Sequence, residues 1–91
     1  MKFYWDHGKD ALNFVNHGVW FTEASTVFAD PLSTTVADPD HSDEEERWLT
    51  TGLSLGGRIL IVWHTNRGET VRIIGARQVT PQERRTYETG E

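Results

Sequence analysis

Apolar residues recur along the chain with two different periods, and the period distinguishes helices from strands. Over residues 6–17 the apolar positions fall on one side of a helix that begins at Asp6 and ends at Gly18. The stretch FTEASTVFA, residues 21–29, repeats this spacing, and the Asp-Pro pair after it ends the helix. We therefore predict two short amphipathic helices near the N-terminus.

Short β-prone segments and turn residues follow a different pattern. The opening KFYW and the stretch STTVA, residues 33–37, are predicted to be short strands, the second at an edge, and the acidic DPDHSDEEE after it a surface loop. Three longer strands are predicted at residues 47–54, 58–65 and 70–77. The turns between them, at Gly-Gly and Asn-Arg-Gly, are too short for a crossover, so the strands form an antiparallel meander.

A last helix is signalled by a capping box. Thr80, Pro81 and Glu83 have the required spacing, and the helix is expected to run to about Thr89 and stop at Gly90. The predicted order is β-α-α-β-β-β-β-α, an α+β protein with an antiparallel sheet, two N-terminal helices and one C-terminal helix. With 91 residues, it is expected to form one domain over residues 1–91.

Composition excludes several functional classes. The chain has no cysteine, which excludes disulfides and thiol chemistry, and its longest apolar run is too short to cross a bilayer. No signal peptide follows Met1, so a cytoplasmic protein is expected. The net charge of −5 argues against a nonspecific nucleic-acid binder, but residues 1–46 carry −8 and residues 47–91 carry +3. The C-terminal half is therefore basic.

Two arginines flank an apolar segment in the stretch VRIIGARQVTPQER. If Thr65 pairs with Thr70, then Trp63 lies opposite Arg72, and Arg58 lies opposite Arg77, so the two arginines are on different faces. A turn at Leu55-Gly56 would add Trp48 to a row with Trp63 and Arg72. The expected opposite face holds Leu49, Leu60, Val62 and Ile73 at its centre and Arg47, Arg58, His64 and Arg77 at its edge.

An aromatic and arginine row has two interpretations. It can bind single-stranded RNA, with bases stacked on rings and phosphates held by guanidinium groups. Alternatively, it is a buried tryptophan pair with Arg72 bonded to an acid. These residues alone favour this structural interpretation.

Other candidate sites fail on spacing. The start of a calcium loop at Asp38 lacks the required glycine and glutamate, and the four histidines have no zinc-ligand spacing. We therefore predict no metal site and no cofactor. The polar stripe on the first helix, formed by Lys9, Asn13, Asn16 and His17, is expected to face solvent except at Lys9.

The sequence as a whole resembles one family. The segments WDHGKDALNFVNHGVWF, EASTVFADP, HSDEEERWLTTG, GRILIVWHTNRG and VRIIGARQVTPQERRTYE match, in order and spacing, the BrnT family of bacterial toxins. The resemblance implies a RelE-like fold and a ribonuclease of a type II toxin–antitoxin module. The chain departs from the family pattern at Asn16, Trp20, Trp63 and Gly75, where lysine, a small or polar residue, an aliphatic residue and serine are usual.

The resemblance also suggests a site. RNA cleavage without a metal ion needs groups that hold the phosphate and move two protons. Arg72 and Arg77 are assigned to the phosphate, with Lys9 from the first helix, and His64 to proton transfer. RNA contacts are assigned to Arg58, Trp63 and Tyr87.

The implied function is an RNA-cleaving toxin that inhibits translation and growth. The implied partner is a BrnA-type antitoxin with a ribbon-helix-helix part, so that DNA is contacted only through the antitoxin and no membrane is involved. The alternative is a domain that has lost activity and only binds a transcriptional regulator, and the changes at Asn16 and Gly75 keep this alternative open.

Overall fold

The computed structural model describes residues 1–38, 40 and 46–90, and its elements follow the predicted order. Most of the predicted acidic loop, residues 39 and 41–45, lies outside the described residues. The elements are β1 (Lys2–Tyr4), α1 (His7–His17), α2 (Phe21–Thr26) with a 3₁₀ turn (Val27–Ala29), β2 (Thr34–Ala37), β3 (Arg47–Leu53), β4 (Ile59–Arg67), β5 (Thr70–Gln78) and α3 (Pro81–Thr89).

Local signals set the ends of α1 and α3 as predicted. The Asp6 carboxylate accepts the backbone N–H of Lys9 at 2.9 Å, and Gly18 ends α1 with a φ of 69°. Thr80 and Glu83 form the reciprocal capping box of α3. Each cap satisfies backbone groups that the first or last helical turn leaves unpaired.

The five strands form one sheet in the order β1-β5-β4-β3-β2. Strands β2 to β5 make the predicted antiparallel meander, with β2 at one edge. At the other edge, β1 pairs with the last strand in parallel, so the whole sheet is mixed. The N-terminal strand therefore covers only the first part of β5, up to Arg72.

Helices α1 and α2 lie against one side of the sheet, which we call the core face. Side chains from both layers exclude water there and form one apolar cluster. Its buried members are Val19, Phe21, Ala24, Val27, Leu60, Val62, Val71, Ile73 and Ala76, with Phe3, Trp5 and Phe28 packed around them.

Asn13 closes the sheet where β1 ends. Its side-chain amide accepts the N–H of Ala76 at 3.1 Å and donates to the carbonyls of Ala76, at 3.0 Å, and Val19, at 2.8 Å. The amide thus replaces the missing strand partner and spares two buried backbone groups of β5 from being unpaired. The expectation that this residue faces solvent was wrong, since Asn13 is buried.

The predicted strand register was also wrong. Arg67, not Thr65, pairs with Thr70, and Trp63 lies opposite Gly75. On its other side Trp63 lies opposite Leu49, while Trp48 pairs with His64. The turn between β3 and β4 spans residues 54–58, so the proposed row of Trp48, Trp63 and Arg72 does not form.

Candidate nucleic-acid interface

A β-bulge at Ile74 decides where the arginines of β5 point. Trp63 pairs with Gly75, and the next residue, His64, pairs with Ile73, so Ile74 has no partner. One extra residue reverses the in-and-out alternation along the strand. Arg72 and Arg77, which a regular strand would place on opposite faces, therefore share the face away from α1 and α2, which we call the open face.

The pairings arrange the open face in three rows across the strands. Trp63 occupies the middle row, with an arginine of β5 in the row on either side of it. From one end of the sheet to the other, the rows are Tyr4, Arg72, Thr65 and Arg47; then Gly75, Trp63, Leu49 and Val36; then Arg77, Ile61, Thr51 and Thr34.

Arg77 is held by α3. Its guanidinium donates to both carboxylate oxygens of Glu83, at 2.8 and 3.0 Å, and lies 5.5 Å from the centre of the Trp63 ring. The pair lowers the pKa of Glu83 to about 2, chiefly through these hydrogen bonds, and raises the pKa of Arg77. The assigned phosphate ligand Arg77 therefore already holds a carboxylate.

Tyr87 ties the other end of α3 to the body of the protein. Its hydroxyl donates to the carboxylate of Asp30, which also accepts the backbone N–H groups of Leu53 at 2.8 Å and Leu32 at 2.9 Å. These bonds lower the pKa of Asp30, and the bond from Leu53 has the largest effect. The carboxylate in turn raises the pKa of Tyr87. The hydroxyl of Tyr87 thus holds α3 in place over the third row of the open face.

Arg72 is placed differently from Arg77. Its guanidinium lies 5.7 Å from the centre of the Tyr4 ring. Within the described part of the chain, neither Arg72 nor Arg47 forms an ion pair, whereas Arg58 and Arg77 both do. The first row therefore presents two guanidinium groups that no described carboxylate pairs with, one of them beside an aromatic ring.

A depression of about 300 Å³ joins the open face to the end of α1. Its walls come from α1, from β3 and β4, and from the bulge of β5. They are formed by Asn13, His17, Arg47, Trp63, Ile74, Gly75 and Ala76.

The position of His17 follows from that of Asn13. The two residues are one helical turn apart, so the contact of Asn13 with β5 turns His17 toward the same strand. The sequence signal was present in the polar stripe of α1, but its direction depends on this tertiary contact. His17 and Arg47 are thus candidate site residues that were not assigned from the sequence.

Gly75 leaves this depression open between α1 and Trp63. A Cβ atom there would lie 3.6 Å from Trp63 Cε3 and 3.7 Å from Asn13 Oδ1, which are ordinary contact distances. A serine side chain would therefore fit at this position, and the glycine widens the space rather than avoiding a clash.

His64 is not on this face. It is 1% exposed, and its ring packs edge-on against Phe28 on the core face. Nδ1 donates to Asn66 Oδ1 at 2.8 Å, so Nε2 accepts the hydroxyl of Thr50 at 2.7 Å. Burial lowers the pKa of His64. The structure does not bring it together with Arg72 or Arg77.

Arg58 likewise does not belong to the three rows. It lies just before β4 and donates to the carboxylate of Glu23 and to the carbonyl of Gly18, the latter at 3.0 Å. The same carboxylate accepts the hydroxyl of Ser54 at 2.7 Å, and Arg58 is the main cause of the lowered pKa of Glu23. This network joins α2 to the β3–β4 turn, so the assigned RNA contact Arg58 is engaged in holding the fold.

The last assigned residue, Lys9, is exposed on α1, one turn before Asn13. Among the described residues, no group of three or more histidine, cysteine or acidic side chains is placed to hold a metal ion. Nor is any described helix long and apolar enough to cross a membrane.

Comparisons with known proteins agree with this architecture. The family model described as "Ribonuclease toxin, BrnT, of type II toxin-antitoxin system" matches residues 5–83. The crystal structure of the Brucella abortus ribonuclease toxin BrnT is similar in fold, with a TM-score of 0.64 and 24% identity over 88% of this chain and 97% of that one. A search of curated proteins finds no match. The match to the family model shows that the chain belongs to the BrnT family of ribonuclease toxins of type II toxin–antitoxin systems.

Proposed function

We propose that this toxin cleaves RNA without a metal ion, at the depression and the first two rows of the open face. The observation that carries the proposal is the convergence there of Arg72, Arg47, Trp63 and His17, from four different elements. Guanidinium groups hold phosphate, an aromatic ring stacks on a base, and imidazole transfers protons near neutral pH.

Cleavage of RNA by its own 2′-hydroxyl requires only groups that hold the phosphate and accept a proton. The 2′-oxygen of the RNA bonds to the adjacent phosphorus, and the bond from phosphorus to the 5′-oxygen breaks. In the proposed arrangement His17 takes the proton of the 2′-hydroxyl, and the departing 5′-oxygen takes up a proton from solvent. Arginine side chains of the first row stabilise the negative charge that builds on the phosphate oxygens, which is the main demand of this reaction.

The assigned residues take different parts in this proposal. Arg72 and Trp63 contact RNA, and Lys9 adds positive charge on the α1 side. Arg77 instead holds α3 through Glu83 and packs against Trp63. Because His64 is buried on the core face, we assign the role of proton acceptor to His17 instead.

The proposed cellular role is inhibition of translation and growth in the cytoplasm. A BrnA-type antitoxin with a ribbon-helix-helix part would neutralise the toxin, and DNA would be contacted only through that antitoxin. Membership of a type II toxin family supports a protein antitoxin and an RNA substrate.

Inducible expression tests this function. The wild-type chain should arrest growth and fragment cellular RNA, and co-expression of the neighbouring antitoxin gene should prevent both. Arg72→Ala is the matched inactive variant, and Arg84→Ala, on the exposed side of α3, is the matched active one. Normal growth and intact RNA at high levels of folded wild-type protein would instead favour a binding module without activity.

A further inference from the structure

We propose that Arg47, Thr65 and Arg72 form a binding site for one phosphodiester group of RNA. This inference rests on the proposed function and deepens it, because it names the group that anchors the substrate. Among the described residues, no group bonds Thr65 Oγ1 or forms an ion pair with Arg47, and Arg77 is left out because Glu83 already binds it.

The three residues are neighbours in the first row of the open face. Thr65 of β4 pairs with Arg72 of β5 on one side and with Arg47 of β3 on the other. Paired strands lie about 4.8 Å apart, so the two arginine backbones are about 10 Å apart with Thr65 midway. Two long guanidinium side chains can therefore converge over the threonine.

Thr65 supplies the independent observation. It is 5% exposed, and among the buried side-chain atoms of the described residues its Oγ1 is the one without a hydrogen-bond partner. Other buried polar groups nearby are satisfied: Thr50 bonds both Thr35 and His64, each at 2.7 Å. A buried hydroxyl without a partner is costly in the folded protein, and a phosphate oxygen is a strong acceptor for it.

The charges favour an anion at this place. Arg47 and Arg72 form no ion pair with the other described residues, and Arg72 lies beside the Tyr4 ring. Lys2 of β1, which pairs with Thr70, lies on the same face. A phosphate at the row would thus meet two guanidinium groups and one hydroxyl, with further positive charge beyond them.

The site adjoins the depression that holds the proposed proton acceptor. Arg47 belongs both to the row and to the wall that contains His17 and Trp63. A phosphate held at the row would place its nucleotide against the Trp63 ring, with the imidazole on the α1 side. This geometry suits a single-stranded chain, since its bases are free to stack on an aromatic ring.

Binding of a fluorescent 2′-O-methyl RNA oligonucleotide, measured by anisotropy, tests the site without cleavage. Thr65→Val is the sharpest variant, because it keeps the shape and removes only the hydroxyl. We expect about tenfold weaker binding with no fall in melting temperature, since the lost group has no partner in the free protein. Arg47→Ala and Arg72→Ala should each weaken binding at least tenfold and reduce the slope of log affinity against log salt by about 0.7.

Controls separate this site from the overall function. Arg84→Ala should change affinity less than twofold, and a DNA oligonucleotide of the same sequence shows whether the site needs ribose. Binding by Thr65→Val and Arg47→Ala at wild-type strength, with RNA cleavage by the wild type intact, overturns the phosphate site alone. If the three variants bind RNA more weakly and the wild-type protein cleaves no RNA, the phosphate site is supported and the nuclease function is rejected.

Discussion

The ion pair between Arg77 and Glu83 makes a prediction that separates a structural arginine from a catalytic one. Both side chains are about one-third exposed, at 31% and 34%, and they meet through two parallel hydrogen bonds. Exposed pairs contribute roughly 0.2–1 kcal/mol, and breaking a fully buried pair costs roughly 3–5 kcal/mol. For this partly exposed bidentate pair we expect about 1–2 kcal/mol.

Removing either residue of the pair should lower the stability of the fold. For a chain of this size 1 kcal/mol corresponds to about 4–8 °C, so Arg77→Ala and Glu83→Ala should each lower the melting temperature by roughly 4–16 °C. Glu83→Ala also removes the acceptor of the Thr80 N–H, so its loss should be the larger of the two. The double variant should be less destabilised than the sum of the single ones, because the two residues act as one unit.

Cleavage measured well below both melting temperatures completes the test. If Arg77 only positions α3 and Trp63, Arg77→Ala and Glu83→Ala should reduce cleavage to a similar, small extent. A folded Arg77→Ala protein that has lost cleavage, beside a Glu83→Ala protein that cleaves normally or binds RNA more tightly, would refute this reasoning. Arg77 would then be a phosphate ligand that Glu83 screens in the free protein.

Three further predictions concern proton transfer, metal ions and pH. His17→Ala should lower RNA cleavage by about 10²-fold or more, with partial rescue by added imidazole, while His7→Ala, at the exposed start of α1, should not; equal effects would remove His17 from the site. EDTA should leave cleavage unchanged, and a loss that a divalent ion restores would contradict the mechanism. Because burial lowers the pKa of His64, the unfolded chain binds the proton first as pH falls below about 6.5, so the free energy of unfolding should decrease from pH 7 toward pH 5. Chemical denaturation of His64→Gln should show a smaller decrease over that range, and an identical profile would contradict this origin.

Local signals in the sequence were sufficient for the elements of the fold. The N-cap at Asp6, the capping box at Thr80 and the glycines after α1 and α3 act within a few residues, so their effects can be read without tertiary structure. Alternation and short turns likewise predicted the meander. The parallel pairing of β1 with β5 joins residues about 68 positions apart, as in Lys2 with Thr70, and no local pattern specifies it.

The candidate site was predicted less well, and one residue accounts for much of the difference. Residue types were informative, since Arg72 and Trp63 do lie on the open face, in adjacent rows. The face of Arg77 was predicted wrongly, because a shift of one residue moves every later side chain to the other side of a strand. The unpaired Ile74 makes that shift. Gly75 beside it is the one local signal of a bulge, because an isolated glycine within a strand often marks one.

The sequence by itself determined the order of the elements, the ends of α1 and α3, the basic character of the second half and the family, because each depends on residue types and short spacings. Only the tertiary structure decided which polar residues meet. Asn13 bonds Ala76 across 63 positions and so turns His17 toward the depression. Glu83 forms an ion pair with Arg77, and the bulge brings Arg77 onto the face of Arg72 and Trp63. These outcomes depend on packing between distant segments, which meet only when the whole sheet is assembled.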